Sequence, residues 1–228
     1  IHDAEINCVG NLKVLEAVRL LNPRAVIVYT SSSTVIGRAV GDVIDESHGE
    51  KPLDIYSANR GAGEKYYRIY NPVDDLKTIV LRFANLFGPY GKGYPEFGFI
   101  NYFIGLAWAG KDITVYGSGT QKRNVLYVED AAEVLYRSAL DQRLIGEAFF
   151  ATHDEHRSVI EIARDIVRVL GRGKLTHIEW PEDRKRIEVD DVRISSALLR
   201  GITGWKPDYS FEQGLERTRQ ILEQSASS

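Results

Sequence analysis

Apolar positions along the chain switch between a helical period and short continuous runs. Val14, Ala17, Val18 and Leu21 recur at i, i+3, i+4 and i+7, which predicts a helix over residues 4–21, ended by Asn22-Pro23. Val26 to Thr30 is a β-branched run and reads as a buried strand. Residues 38–54 are polar, punctuated by Gly41, Gly49 and Pro52, and read as a loop. A helix is expected from about Tyr56 to Tyr70, stopped by Asn71-Pro72, and then a second buried strand over Thr78–Phe83. Ile100, Phe103, Ile104 and Ala107 mark a helix closed at Gly110, and Ile113–Tyr116 and Asn124–Val128 read as short strands. Ala131, Val134, Leu135 and Ser138 mark a further helix, followed by a strand over Glu147–Ala151. Ser158-Val159-Ile160-Glu161 and Ser210-Phe211-Glu212-Gln213 are capping boxes, each opening a helix. Alternating helices and strands predict an α/β fold built on a parallel sheet.

Composition narrows the function classes. The 228 residues are 43% hydrophobic and 27% charged, ordinary for a globular protein. A net charge of −3 gives no footprint for nucleic acid or an acidic membrane surface. No stretch approaches 18 uninterrupted apolar residues, so no membrane span is expected. Cys8 is the single cysteine, which allows no internal disulfide and fits a reducing, cytoplasmic setting. His2, His48, His153, His156 and His177 show no metal-ligand spacing, and no metal is expected. A Gly-x-Ser-x-Gly nucleophile elbow is absent, which removes the support for a hydrolase of that kind.

The chemistry-bearing stretch is Thr30-Ser31-Ser32-Ser33-Thr34-Val35-Ile36-Gly37, followed by Tyr56-Ser57-Ala58-Asn59-Arg60. Tyr56 and Arg60 are four apart and share a helix face. A hydroxyl at a strand end then stands opposite a phenol with a cation one turn away. A cation beside a phenol favours its ionised form, the form that removes a proton from an alcohol.

This stretch resembles the catalytic core of the extended short-chain dehydrogenase/reductase family, in particular its nucleotide-sugar epimerases. The family pattern is Ser-Ser-x-x-Val-Tyr-Gly, then Tyr-x-x-x-Lys. The chain matches except for Ile36 in place of tyrosine and Arg60 in place of lysine. The likeness continues through Leu81-Arg82-Phe83-Ala84-Asn85-Leu86-Phe87-Gly88-Pro89 and Val115-Tyr116-Gly117-Ser118-Gly119, and reaches Gly204-Trp205-Lys206-Pro207. It covers nearly the whole chain.

The resemblance implies the C-terminal part of a Rossmann-type parallel sheet, residues 1–90, with a smaller α/β substrate-binding lobe. That lobe occupies mainly residues 91–228, with some elements returning to the sheet. The family opens with a strand and a Gly-x-x-Gly-x-x-Gly turn that holds the cofactor pyrophosphate. No such turn follows a strand here; Gly61-Ala62-Gly63 comes after the tyrosine and reads as a packing feature. The expectation is therefore an N-terminally truncated chain, with roughly 80 residues of a longer enzyme before Ile1. NAD is the implied cofactor. NADP stays open, because the acidic residue that discriminates the two belongs to that earlier half.

By the same resemblance, Ser32 would bind the reacting sugar hydroxyl and Tyr56 would be the general base. Thr30, Tyr56 and Arg60 would contact the cofactor. Asn85, Arg123, Tyr116 and Arg186 (or its neighbour Arg184) would bind the nucleotide-sugar. The related 4,6-dehydratases carry an Asp-Glu pair where this chain has Ser33-Thr34, which argues against dehydration. A homodimer through residues 4–21 and 56–70 is expected. A same-family reductase or dehydrogenase, and a non-catalytic nucleotide-sugar-binding protein, remain as alternatives.

Overall fold

The computed structural model describes residues 1–95, 98–181 and 191–226. Its contacts divide the chain into two units, residues 1–84, 132–151 and 194–206, and residues 85–131, 152–193 and 207–228.

The first unit is built on a parallel sheet in the order β1 (Val26–Ser32), β2 (Lys77–Phe83), β6 (Ala148–Ala151). β2 is the middle strand and is buried from Thr78 to Phe83, hence its unbroken apolar run. The N-terminal helix is less regular than its periodicity predicts. A short α1 (His2–Ala4) and a π-helical turn over Glu5–Gly10 precede α2 (Asn11–Leu21). Leu15 of α2 enters the core, whereas Val14, Ala17 and Leu21 are exposed.

α3 (Ile55–Asp74) begins where the spacing predicts, with Asp54 as its cap: the Ser57 N–H donates to Asp54 Oδ1 at 2.7 Å. It does not stop at Asn71-Pro72, as expected from the sequence, but carries Pro72 inside its last turn. A proline there costs one backbone hydrogen bond close to the helix end. The Asn71 amide donates to the Leu76 carbonyl at 2.8 Å just past this turn, and Asp75 closes the helix in the left-handed conformation.

Tyr29, Tyr67, Leu15, Leu76 and Val80 form a core between α2, α3 and the sheet. Tyr29 stacks on Tyr67 with centroids 4.5 Å apart. A Cβ at position 63 would lie 2.5 Å from the Tyr29 hydroxyl, so Gly63 admits the phenol to the helix backbone. Burial pushes the Tyr29 hydroxyl up to about 12. The glycines after Tyr56 thus serve packing, as their position in a helix implies.

The second unit contains β3 (Asn85–Phe87), α4 (Phe99–Trp108), β4 (Ile113–Tyr116), β5 (Lys122–Tyr127), β7 (His156–Ser158), α6 (Val159–Leu170), β8 (Leu175–Ile178) and α8 (Phe211–Ala226). β5 pairs parallel with β3 and antiparallel with β7, while β4 pairs parallel with β8. Both capping boxes form, at Ser158 with Glu161 and at Ser210 with Gln213. α5 (Val128–Leu140) takes Val128 as its first residue, so the preceding strand ends one residue earlier than its apolar run suggests. α7 (Ala197–Thr203) belongs to the first unit. Phe87, Phe103, Val125, Tyr127, Ile166 and Phe211 are at the heart of the second core. Among the described residues no helix is long and apolar enough to cross a membrane.

Candidate functional site

The first unit gathers Thr30, Ser32, Tyr56 and Arg60 around the C-terminal end of β1 and the first turns of α3. β1 runs parallel to β2, and ligands of open α/β sheets bind at the carboxyl ends of such strands. Ser32 is the last residue of β1 and caps a 3-10 turn over Ser33–Ile36, accepting the Thr34 N–H at 3.2 Å. Thr34 Oγ1 lies 2.9 Å from Ser32 Oγ and accepts the Ser57 hydroxyl at 2.8 Å. The Ser57–Thr34 bond ties the start of α3 to the turn after β1, beside Tyr56. Tyr56 itself is 44% exposed, and Thr30 is exposed.

Arg60 sits one turn after Tyr56, as the spacing predicts. Its guanidinium carbon lies 5.7 Å from the Tyr56 ring centroid and 4.9 Å from that of Tyr29. One Nη donates to Asn7 Oδ1 at 3.0 Å, while Nε is buried with no partner among the described residues. An orphaned guanidinium donor beside an exposed phenol suits a polyhydroxyl ligand such as the ribose of a dinucleotide, so the residues present fit NAD. Lys65 faces elsewhere and is paired with Glu50.

Behind this surface lies a buried charge cluster. Arg82 of β2 makes a forked contact with Glu64 of α3, with Nη2 to Oε2 at 2.6 Å and Nε to Oε1 at 3.1 Å. Ser31, next to Ser32, donates to Glu64 Oε1 at 2.5 Å, and Arg82 Nη2 reaches Glu50 Oε1 at 2.9 Å. Glu64 is 1% exposed and Arg82 4%. Two charges taken out of water at that depth hold only as a saturated pair, so β1, β2 and α3 are locked at the end that carries Ser32.

The second unit holds a cavity of about 340 Å³ that brings together Asn85, Tyr116 and Arg123. Phe99, Tyr102 and Trp180 are further aromatic members of its wall. Tyr116 and Trp180 meet with centroids 5.3 Å apart. A Cβ on Gly117 would lie 2.7 Å from Trp180, and this residue has φ +57°, so only glycine lets the indole approach here. Asn85 donates its amide to the Asn124 carbonyl at 2.9 Å, and an Arg123 Nη donates to the Lys122 carbonyl at 2.8 Å. An aromatic wall with the Arg123 guanidinium and the amides of Asn85 and Gln121 suits a flat base joined to a phosphate. Arg184 and Arg186 lie outside the described residues.

Trp180 has no periodic pattern around it, and its neighbour Pro181 is the only local signal of a fixed turn. Ser57 was legible in principle, since Asp54-x-x-Ser57 before an amphipathic run is a helix start.

Curated relatives carry both epimerase and dehydratase names. The putative UDP-glucose 4-epimerase of Methanocaldococcus jannaschii is 26% identical over 95% of this chain and 69% of its own length. A trifunctional UDP-glucose 4,6-dehydratase, UDP-4-keto-6-deoxy-D-glucose 3,5-epimerase and UDP-4-keto-L-rhamnose-reductase of Arabidopsis thaliana is 29% identical over 93% of the chain and 31% of its own length. The chain therefore spans between about a third and about two thirds of these relatives. The solved dTDP-glucose 4,6-dehydratase of Bacillus anthracis, in complex with NAD, superposes with a TM-score of 0.83 at 25% identity, over 98% of this chain and 69% of its own. Residues 2–149 match the model of the NAD dependent epimerase/dehydratase family, and the chain belongs to that family.

Proposed function

We propose that this chain is the catalytic and substrate-binding part of a nucleotide-sugar epimerase. The observation that carries the reading is the end of β1, where every side chain of Ser31-Ser32-Ser33-Thr34 offers a hydroxyl. Elimination of water from a keto-sugar needs an acid and a base, and hydroxyls do not supply them near neutral pH. Carboxylates nearby are already engaged: Asp54 caps α3, and Glu64 and Glu50 pair with Arg82.

In this reading the second unit's cavity takes the nucleotide. Tyr116 and Trp180 pack against the base, while Arg123 and Asn85 meet the diphosphate. Ser32 binds the reacting hydroxyl of the sugar, and the Tyr56 oxygen, as general base, accepts its proton. NAD, when bound, would supply a reversible hydride acceptor. Thr30, Tyr56 and Arg60 hold the cofactor side, with Arg60 Nε as the donor still free for it. A cytoplasmic setting and an isologous dimer belong to the same reading. Val14, Ala17 and Leu21 on α2 and Ile69 and Val73 on α3 leave apolar surface exposed for a second copy.

The experiment is interconversion of a UDP-sugar pair by the complete natural protein, with NADH followed in parallel. An epimerase interconverts the pair without net cofactor turnover; steady accumulation or loss of NADH identifies a reductase or dehydrogenase instead. A second reading, a non-catalytic nucleotide-sugar-binding protein, is favoured by Arg60, whose guanidinium is engaged by Asn7 and Tyr29. UDP-sugar binding without turnover would establish it.

A further inference from the structure

A groove of about 510 Å³ runs along the later turns of α3 in the first unit. Lys65, Arg68 and Pro72 line one side, and the turn Ile145-Gly146-Glu147 before β6 lines the other. That size is ordinary for a small-molecule site. Lys65, Arg68 and Pro72 stand at i, i+3 and i+7 and so share one face of the helix. The facing turn is packed hard against α3. Gly146 donates its N–H to the Thr78 carbonyl at 2.7 Å, and with φ +89° a Cβ there would lie 2.7 Å from Asn71 Oδ1. Polar groups in the groove lack strong partners. The Arg68 guanidinium has a loose contact with Glu147 at 3.9 Å and no hydrogen bond among the described residues. Lys65 pairs with Glu50, but Glu50 is shared with Arg82, so the ammonium is neutralised only in part. A helical carbonyl takes the N–H four residues on, and Pro72 has none to give the Arg68 carbonyl.

We propose that this groove is a second ligand site, and that it takes a sugar phosphate. The phosphate meets the Arg68 guanidinium, whose fork matches two of its oxygens, with the Lys65 charge one turn before. Two acceptors remain, the Glu147 carboxylate and the Arg68 carbonyl. A bare anion would face both and be repelled by Glu147. Sugar hydroxyls supply O–H donors to both, and the C–H face of the ring covers Pro72 and Ile145. None of these residues belongs to the end of β1 or to the cavity around Arg123. The site therefore stands whether or not the chain is an epimerase.

The test is calorimetry on the complete natural protein with glucose 1-phosphate and, separately, inorganic phosphate. Glucose 1-phosphate should bind about tenfold tighter than inorganic phosphate, the scale of the added hydrogen bonds. Arg68→Gln should weaken glucose 1-phosphate about tenfold, because a charge-assisted fork is lost, with a thermal midpoint equal to wild type. Pro72→Ala gives the Arg68 carbonyl a helical partner. It should keep or raise the thermal midpoint and still weaken glucose 1-phosphate about threefold, which separates a ligand contact from damage to the fold. Glu147→Gln should tighten inorganic phosphate and narrow its gap to glucose 1-phosphate. Arg123→Gln, in the other cavity, should leave glucose 1-phosphate within about twofold. The proposal is overturned if wild type binds no glucose 1-phosphate at millimolar concentration, or binds inorganic phosphate as tightly. Unchanged affinity in both Arg68→Gln and Pro72→Ala overturns it too. Loss in Arg123→Gln with none in Arg68→Gln would put the ligand in the other cavity and overturn it equally.

Discussion

The two units handle polar groups in opposite ways. At the end of β1 and the start of α3, polar side chains are tied to one another: Ser57 to Thr34, Thr34 to Ser32, Ser31 to Glu64, Glu64 to Arg82. The cavity of the second unit is walled by Phe99, Tyr102, Tyr116 and Trp180, with Asn85, Gln121 and Arg123 among its polar members. A saturated network holds atoms to fractions of an ångström, which suits proton transfer. An aromatic wall offers area and tolerates small shifts, which suits holding a base. Chemistry and recognition thus make different demands on the same chain.

Tyr56→Phe carries the largest expected effect. If the first region does the chemistry, this change lowers epimerisation by ~10²–10⁴-fold and leaves UDP-sugar affinity within about twofold. A rate assay beside a binding isotherm decides it; comparable losses in both would mean the phenol serves binding.

Next in size is the buried pair. Glu64→Ala leaves the buried Arg82 with Glu50 as its remaining carboxylate partner, and the expected cost is about 3 kcal/mol of unfolding free energy, the lower end for breaking a buried pair. Urea titration measures it. A loss under about 1 kcal/mol would mean that solvent reaches Arg82 and that the network does not lock the strand ends.

The recognition side is sharpened by Trp180→Ala. Loss of one stacking surface should weaken UDP binding by about 1–3 kcal/mol while kcat at saturating substrate holds. An unchanged isotherm would remove Trp180 from the base site.

The smallest expected effect concerns pH in the second unit. His156 Nε2 donates to the Val192 carbonyl at 2.6 Å, and Nδ1 is buried without a partner among the described residues. Burial, with help from Arg193 and Lys122, holds the imidazole below its ordinary value near 6.5. Its folded value is thus depressed relative to the unfolded chain. The neutral ring's contribution is complete above about pH 6.5 and is lost as pH falls through the lower folded value. Thermal midpoints should drop between pH 7 and pH 5, and His156→Gln should flatten that drop; an equal slope in the variant would place the titration elsewhere.

Local patterns were readable wherever one element satisfies itself. The α/β alternation, the buried run of β2 and the two capping boxes need only neighbours a few residues away, and they stand where periodicity puts them. The Tyr56–Arg60 spacing places both on the first turns of α3. The reading of Asn71-Pro72 as a stop failed because a proline near a helix end loses only one bond, and the helix still closes at Asp75 in the left-handed conformation. The stripe Val14, Ala17 and Leu21 has the right period for a buried face, yet Leu15 is the residue α2 buries. Periodicity locates a helix but does not say which side the rest of the protein covers.

The order of motifs, the hydroxyls of Ser32 to Thr34 and the arginine at position 60 are legible residue by residue along the chain. Which way those groups face follows from packing between distant elements. That Glu64 meets Arg82, that Ser57 stands behind Thr34, and that Trp180 comes to Tyr116 depends on contacts between residues 18, 23 and 64 positions apart. Such pairs leave no periodic trace in the chain, because their energy comes from desolvation and close approach, and these exist only once the elements have packed.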